Sequence, residues 1–256
     1  MQGLRLTARD FLGNGARMRL ACPYPSRNEG GATAPGERGE AMGIGEKVER
    51  DVRSVAEYWG RRKREFIEEP ALAFEQIVRP AIYFESEPDP LVETQVNATF
   101  TEWLLFDCML DERGTLLERY VRKPPAGVAD SRLARLRQVA ETHEFSEYAI
   151  MRRDPGTGTL ELLDIYDGTM RTVRDARLAR RDNWNEGTVS LRLGCVDDVW
   201  LPVGQTVMYD RCPFDPSWVP VDDEGTTSGM RLLDLAHDVF GVDGAYRTSV
   251  NMRQLV

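Results

Sequence analysis

Two periodicities divide this chain. From Gly45, Val48, Val52, Val55 and Trp59 recur at spacings of four, three and four, which is one apolar stripe on an amphipathic helix. Pro70 ends or bends that helix. A second apolar segment, LAFEQIVRPAIYF, is interrupted at Pro80, and SEPDP reads as a loop. FTEWLLFDCML follows, apolar on every side, which predicts a buried helix with Trp103 and Phe106 as core anchors. Thr115 and Glu118 then form a T-x-x-E capping box ahead of LLERYV, which Pro124 and Pro125 stop. A further helix from Asp130 or Ser131 carries Leu133, Leu136, Ala140 and His143 along one face.

After residue 145 the period becomes two. YAIMRRD meets TLELLDIYD through the turn PGTG, and Asp167-Gly168 predicts a hairpin into TMRTV. In TVSLRLG, Val189, Leu191 and Leu193 share one side, with Ser190 and Arg192 on the other. DVWLPVGQTVMYD reads as two short strands around Pro202 and Gly204. About six short strands predict a small antiparallel sheet or partly open β-barrel. SGMRLLDLAHDVFG closes the pattern as a helix capped by Ser228 and ended by Gly241.

The class is therefore α+β: an N-terminal helical half packed on a small antiparallel sheet or partly open barrel, then a C-terminal helix. The expected divisions are an arm over 1–41, a helical region over 42–144, a β-domain over 145–216 and a helical tail over 217–256. The arm is rich in Pro, Gly and charge without an apolar period, so it is expected to be disordered, with Met42 a candidate translation start.

Charge narrows the function. A net charge of −9 over 256 residues argues against a protein that coats nucleic acid. No segment reaches the roughly 20 apolar residues that cross a bilayer, so no membrane association and a cytoplasmic location are expected. Cys22, Cys108, Cys195 and Cys212 form no C-x-x-C pair; Cys108 reads as a small buried hydrophobe, while Cys195 and Cys212 flank a hairpin and can face each other. Neither cofactor nor metal is expected.

Candidate chemistry is sparse. Glu102 and Asp107 stand five apart, so on one helix they point to different faces; Asp107 is expected to pair with an arginine or cap a helix. Asp164 occupies a position where an apolar residue is expected, and with Glu161, Asp197 and Asp198 it is one way to hold a divalent cation. His143 ends its helix, where a charged imidazole suits the dipole. No G-x-S-x-G elbow, dinucleotide fingerprint or P-loop occurs, and no catalytic residue is assigned.

The segments F-x-E-W-L-L-F-D at 100–107 and G-T-L-L-E-R-Y at 114–120 resemble a group of uncharacterised bacterial proteins, in which such a helical segment precedes a small β-domain. LLDIYDG and the Gly187–Leu193 strand lie where that domain is expected. The resemblance implies an architecture and no activity.

The expected function is that of a non-enzymatic binding protein whose partner is another protein. The alternative is a nucleic-acid-associated protein using an Arg-and-aromatic β face of Tyr148, Arg152, Tyr166 and Arg171, with Arg152 sharing the face of Tyr148; a carboxylate-dependent hydrolase comes third.

Overall fold

The computed structural model describes residues 43–182, 184, 186–215 and 225–245. The expected arm and Cys22 lie outside the described residues, as does most of the C-terminal tail beyond the last helix. In chain order the elements are α1 (Ile44–Gly60), α2 (Glu68–Val78), α3 (Pro90–Phe106), α4 (Leu116–Arg122), α5 (Asp130–Thr142), β1 (Glu144–Asp154), β2 (Thr159–Asp164), β3 (Met170–Arg174), α6 (Ala176–Ala179), β4 (Thr188–Val196), β5 (Val199–Asp210) and α7 (Ser228–Phe240). A short 3₁₀ turn, Ala81–Phe84, links α2 to α3.

Pro70 does not end α1, which stops at Gly60; it sits in the first turn of α2. The buried helix expected over FTEWLLFDCML stops at Phe106 and leaves Met109 exposed. Asp89 caps α3 by accepting the Leu91 amide, with Pro90 at the first helical position. Both bonds of the α4 capping box form: Thr115 N–H donates to Glu118 Oε2 at 2.8 Å, and Glu118 N–H to Thr115 Oγ1 at 3.3 Å. For α7 the cap is Thr227 rather than Ser228; Thr227 accepts the Met230 amide, which leaves Ser228 free to face inward.

The sheet closes fully. Its strand order is β1-β2-β3-β5-β4 around a barrel. Neighbours run antiparallel except β3 and β5, which meet in parallel at Val173 and Trp200. The barrel thus has five strands. The two expected strands around Pro202 and Gly204 are one long strand, β5, pushed out of register with β4: Leu191 pairs with Val207, but Leu193 pairs with Pro202. Residues 203–206 therefore stand opposite Arg192 alone, as a wide bulge.

Two cores result. Tyr148, Ile150, Leu160, Leu162, Val173, Val189, Leu191 and Leu193 fill the barrel, with Trp184 and Leu178 beside them. The helices pack into a second core that takes in Phe145, Val196, Leu201 and Val203 from the outer face of the sheet. Trp103 lies within the helical core, against Phe74 and Phe100 at ring separations of 6.0 and 6.2 Å. Phe106 reaches the sheet, with its ring 4.7 Å from the Arg192 guanidinium carbon. Cys108 is buried, and burial pushes its thiol up to about 11, as suits an inert packing residue. Cys195 pairs with Trp200 at one end of the β4–β5 hairpin, while Cys212 follows Asp210 at the other, so the two do not face each other.

Candidate functional site

Two buried arginines organise the polar interior, and they are held very differently. Arg192 lies on the outer face of β4, under the helices, and is fully buried. Its Nε donates to Glu102 Oε1 at 2.9 Å. Its Nη1 reaches Asp107 Oδ1, Ser228 Oγ and His143 Nδ1, each at 3.1 Å, and Nη2 donates to Asp107 Oδ2. A guanidinium only donates, so His143 Nδ1 accepts and its proton sits on Nε2.

Glu102 and Asp107 thus meet on one cation. The expectation that they diverge fails because Asp107 is no longer helical: its φ of −123° at the end of α3 turns the side chain back toward Arg192. Asp107 does pair with an arginine, as expected. Its carboxyl stands above the ordinary range, chiefly through burial and, in smaller part, through Glu102, against the pull of Arg192 and the Ser228 hydroxyl. The other oxygen of Glu102 accepts the amides of Gln205 and Thr206, at 2.6 and 2.7 Å, which the β5 bulge takes out of the ladder. Burial, with Arg192 beside it, lowers His143 to about 3, so the ring is neutral. The helix-dipole role expected for a charged His143 does not hold. This cluster joins α3, α5, β4, β5 and α7, and every nitrogen of Arg192 is used.

Arg171 sits on the inner face of β3, at one mouth of the barrel. Strand alternation brings Glu144, Ser146 and Tyr148 from β1 and Asp164 from β2 to the same interior end. Arg171 Nη2 donates to Glu144 Oε2 at 2.9 Å. Nη1 is 3.6 Å from Asp164 Oδ2 and Nη2 is 3.8 Å from Asp167 Oδ2, both longer than a hydrogen bond. The guanidinium carbon lies 5.0 Å from the Trp200 ring centre. Arg231 of α7 approaches Glu144 at 3.7 Å and covers Tyr166 at 4.3 Å.

The mouth contains an unusual concentration of buried polar atoms that make no hydrogen bond: Tyr148 Oη, Asp164 Oδ2, Arg171 Nε, Arg171 Nη1 and Ser146 Oγ. Each such atom costs about 1–3 kcal/mol when left unmade. Glu144, Asp164 and Asp167 offer carboxylate oxygens within 4.8 Å of one another. Burial, Asp164 and Asp167 together hold the Glu144 carboxyl above its ordinary range, although Arg171 opposes them.

The expected Arg-and-aromatic face is not assembled as one exposed surface. Tyr148 is fully buried and Arg171 nearly so, while Tyr166 lies at the rim beneath Arg231. Arg152 points the other way. A register shift between Ile150 and Arg152 inserts Met151 as an extra residue, so Arg152 pairs with Glu161 and Arg153 takes the side of Tyr148. Arg152 is exposed and 3.4 Å from Glu161 Oε1. The other acidic set suggested by sequence is not gathered either: Asp197 sits in the β4–β5 turn, bonded to Gln138, and the carboxylates that meet Asp164 are those of Glu144 and Asp167. The signal for the actual set was Asp164 alone; Glu144 and Asp167 reach it through strand pairing and a turn. No family model, curated protein or solved structure matches the chain.

Proposed function

We propose that this chain is a non-enzymatic binding protein whose partner is another protein. One observation carries the reading. Eight large apolar side chains are left exposed among the described residues, and four of them, Leu72, Ile77, Phe84 and Leu91, fall in one short span from α2 through the 3₁₀ turn to the first turn of α3. Their exposures run from 46% to 65%. Exposed apolar side chains mark interaction surfaces where they gather, and these four fall within one stretch of chain. The arginines and aromatics that a nucleic-acid reading needs are instead spent internally or paired: Arg171 on carboxylates, Arg152 on Glu161. Among the described residues no helix is long and apolar enough to cross a membrane.

The test places a photo-crosslinking p-benzoylphenylalanine at position 84 of the full chain and irradiates it in cell extract, with and without nuclease. A discrete protein adduct that survives nuclease and disappears with Leu91→Asp supports the reading. Adducts that vanish with nuclease, together with salt-sensitive binding of single-stranded RNA that Arg152→Glu abolishes, transfer the function to nucleic acid.

A further inference from the structure

The contrast between the two buried arginines points beyond this reading, and does not depend on it. Arg192 uses all three nitrogens in hydrogen bonds. Arg171 makes one hydrogen bond, through Nη2, and buries Nε and Nη1 without one, Nη1 standing 3.6 Å from Asp164 Oδ2. A planar guanidinium stabilises best through paired, parallel bonds to a carboxylate, and the mouth supplies none. Its three carboxylates are arranged for a rounder cation.

We infer that Glu144, Asp164 and Asp167 form a calcium site at the barrel mouth, with the Tyr148 hydroxyl beside it and Arg171 as the cation that calcium displaces. The ligand set is all oxygen, which suits hard divalent ions over zinc or copper. Glu144, Asp164 and Asp167 bring their oxygens within 4.8 Å of one another. Calcium tolerates such an irregular set of protein oxygens, whereas magnesium demands a near-ideal octahedron and usually keeps several of its waters.

Acidic residues close in space are common without an ion, so the cluster alone decides nothing. Tyr148 supplies an independent observation. Its side chain is fully buried and its hydroxyl has no partner. Tyr148 pairs with Asp164 across β1 and β2, so the two side chains stand together on the inner face, and the Arg171 guanidinium carbon lies 5.9 Å from the Tyr148 ring centre. The inner oxygen of Asp164, a residue 1% exposed, likewise makes no hydrogen bond and has only Arg171 Nη1 at 3.6 Å, while its other oxygen accepts the Tyr166 amide at 3.0 Å and so fixes the carboxylate. A cation between them removes both unmade bonds at once. Asp167, half-exposed on the turn, gives the route of entry.

Displacement sets the expected behaviour. Arg171 competes for the same oxygens, so wild-type affinity is modest and Arg171→Gln raises it. The full chain is titrated with calcium chloride by calorimetry, and with terbium as a luminescent calcium substitute excited through nearby aromatic rings, of which Trp200 and Tyr148 lie against Arg171. The inference expects saturable terbium emission, displaced by calcium well before an equal concentration of magnesium. It expects Arg171→Gln to tighten calcium about tenfold or more and Asp167→Asn, at the solvated rim, to weaken it about tenfold, since affinity follows ligand charge. Circular dichroism confirms that each variant is folded; Asp164→Asn serves as a second loss-of-ligand variant. Absence of calcium binding by both wild type and Arg171→Gln overturns the inference. So does calcium binding that Asp167→Asn and Asp164→Asn leave unchanged, because the ion is then held elsewhere on an acidic surface.

Discussion

The carboxylate of Glu102 fills the space above Gly204: a Cβ at that glycine would stand 2.4 Å from Oε1 and 2.6 Å from Oε2. The β5 bulge, the glycine and the buried acid are therefore one device. Gly204→Ala must push Glu102 away from Arg192 and from two backbone amides. Overpacking alone costs about 1–3 kcal/mol, and loss of the ion pair adds to it. Gly45→Ala is the control, since a Cβ there meets Leu201 Cδ2 at an ordinary 3.7 Å in a helix. Urea melts should show the first variant destabilised and the second raised by about 0.4–1 kcal/mol.

Arg192→Met leaves Glu102 and Asp107 buried without a cation, a loss of about 3–5 kcal/mol. Adding Glu102→Gln and Asp107→Asn should recover more than half of it, because the cost lies in the uncompensated charges. Denaturant midpoints of the single and triple variants decide this. A triple variant no better than the single shows that the geometry, and not the charge balance, holds the helices to the barrel.

His143 makes stability depend on pH. Its folded value is about 3 against 6.5 for the free side chain, so between those values the unfolded chain binds the proton and the folded protein does not. Stability is then lost as pH falls from 6.5 toward 3, by at most about 1.4 kcal/mol per unit. Asp107, held above its ordinary value, contributes the opposite sign, since its folded form takes up the proton first. The melting temperature of His143→Gln should fall less steeply than that of wild type between pH 6.5 and 4. Parallel profiles refute a neutral buried imidazole.

Thr115→Ala removes one half of the α4 capping box and should cost about 1 kcal/mol, within the usual range of about 0.5–2. Trp103→Ala removes a buried ring packed on Phe74 and Phe100 and should cost about 3–5 kcal/mol, enough to unfold or aggregate a protein of ordinary stability. Thermal scans of the two variants should separate them widely.

What could be read from the chain was whatever the chain decides within a few residues. The Thr115–Glu118 box, the Asp167-Gly168 turn and the all-round apolar end of α3, from Phe100 to Phe106, needed no knowledge of partners. Arg192 was hidden by its own regularity. Alternation in β4 put it on the polar side, which reads as solvent, and only the packed helices turn that side into an interior. Its partners lie 85 and 90 residues away, beyond any local pattern. Arg152 was misplaced by a single extra residue, Met151, which reverses every later side chain of β1. The parallel contact that closes the barrel rests on one residue pair, Val173 and Trp200, and has no signature in the order of residues.

The 90 residues between Glu102 and Arg192 are also an interval of time. A ribosome adding about 5–20 residues per second makes α3 roughly 5–18 s before the guanidinium that neutralises it. Through that interval two unpaid acids resist entry into an apolar interior. Helices α1–α5 precede the strand that carries their counter-charge, so burial of Glu102 and Asp107 against it waits for the fourth strand of the barrel.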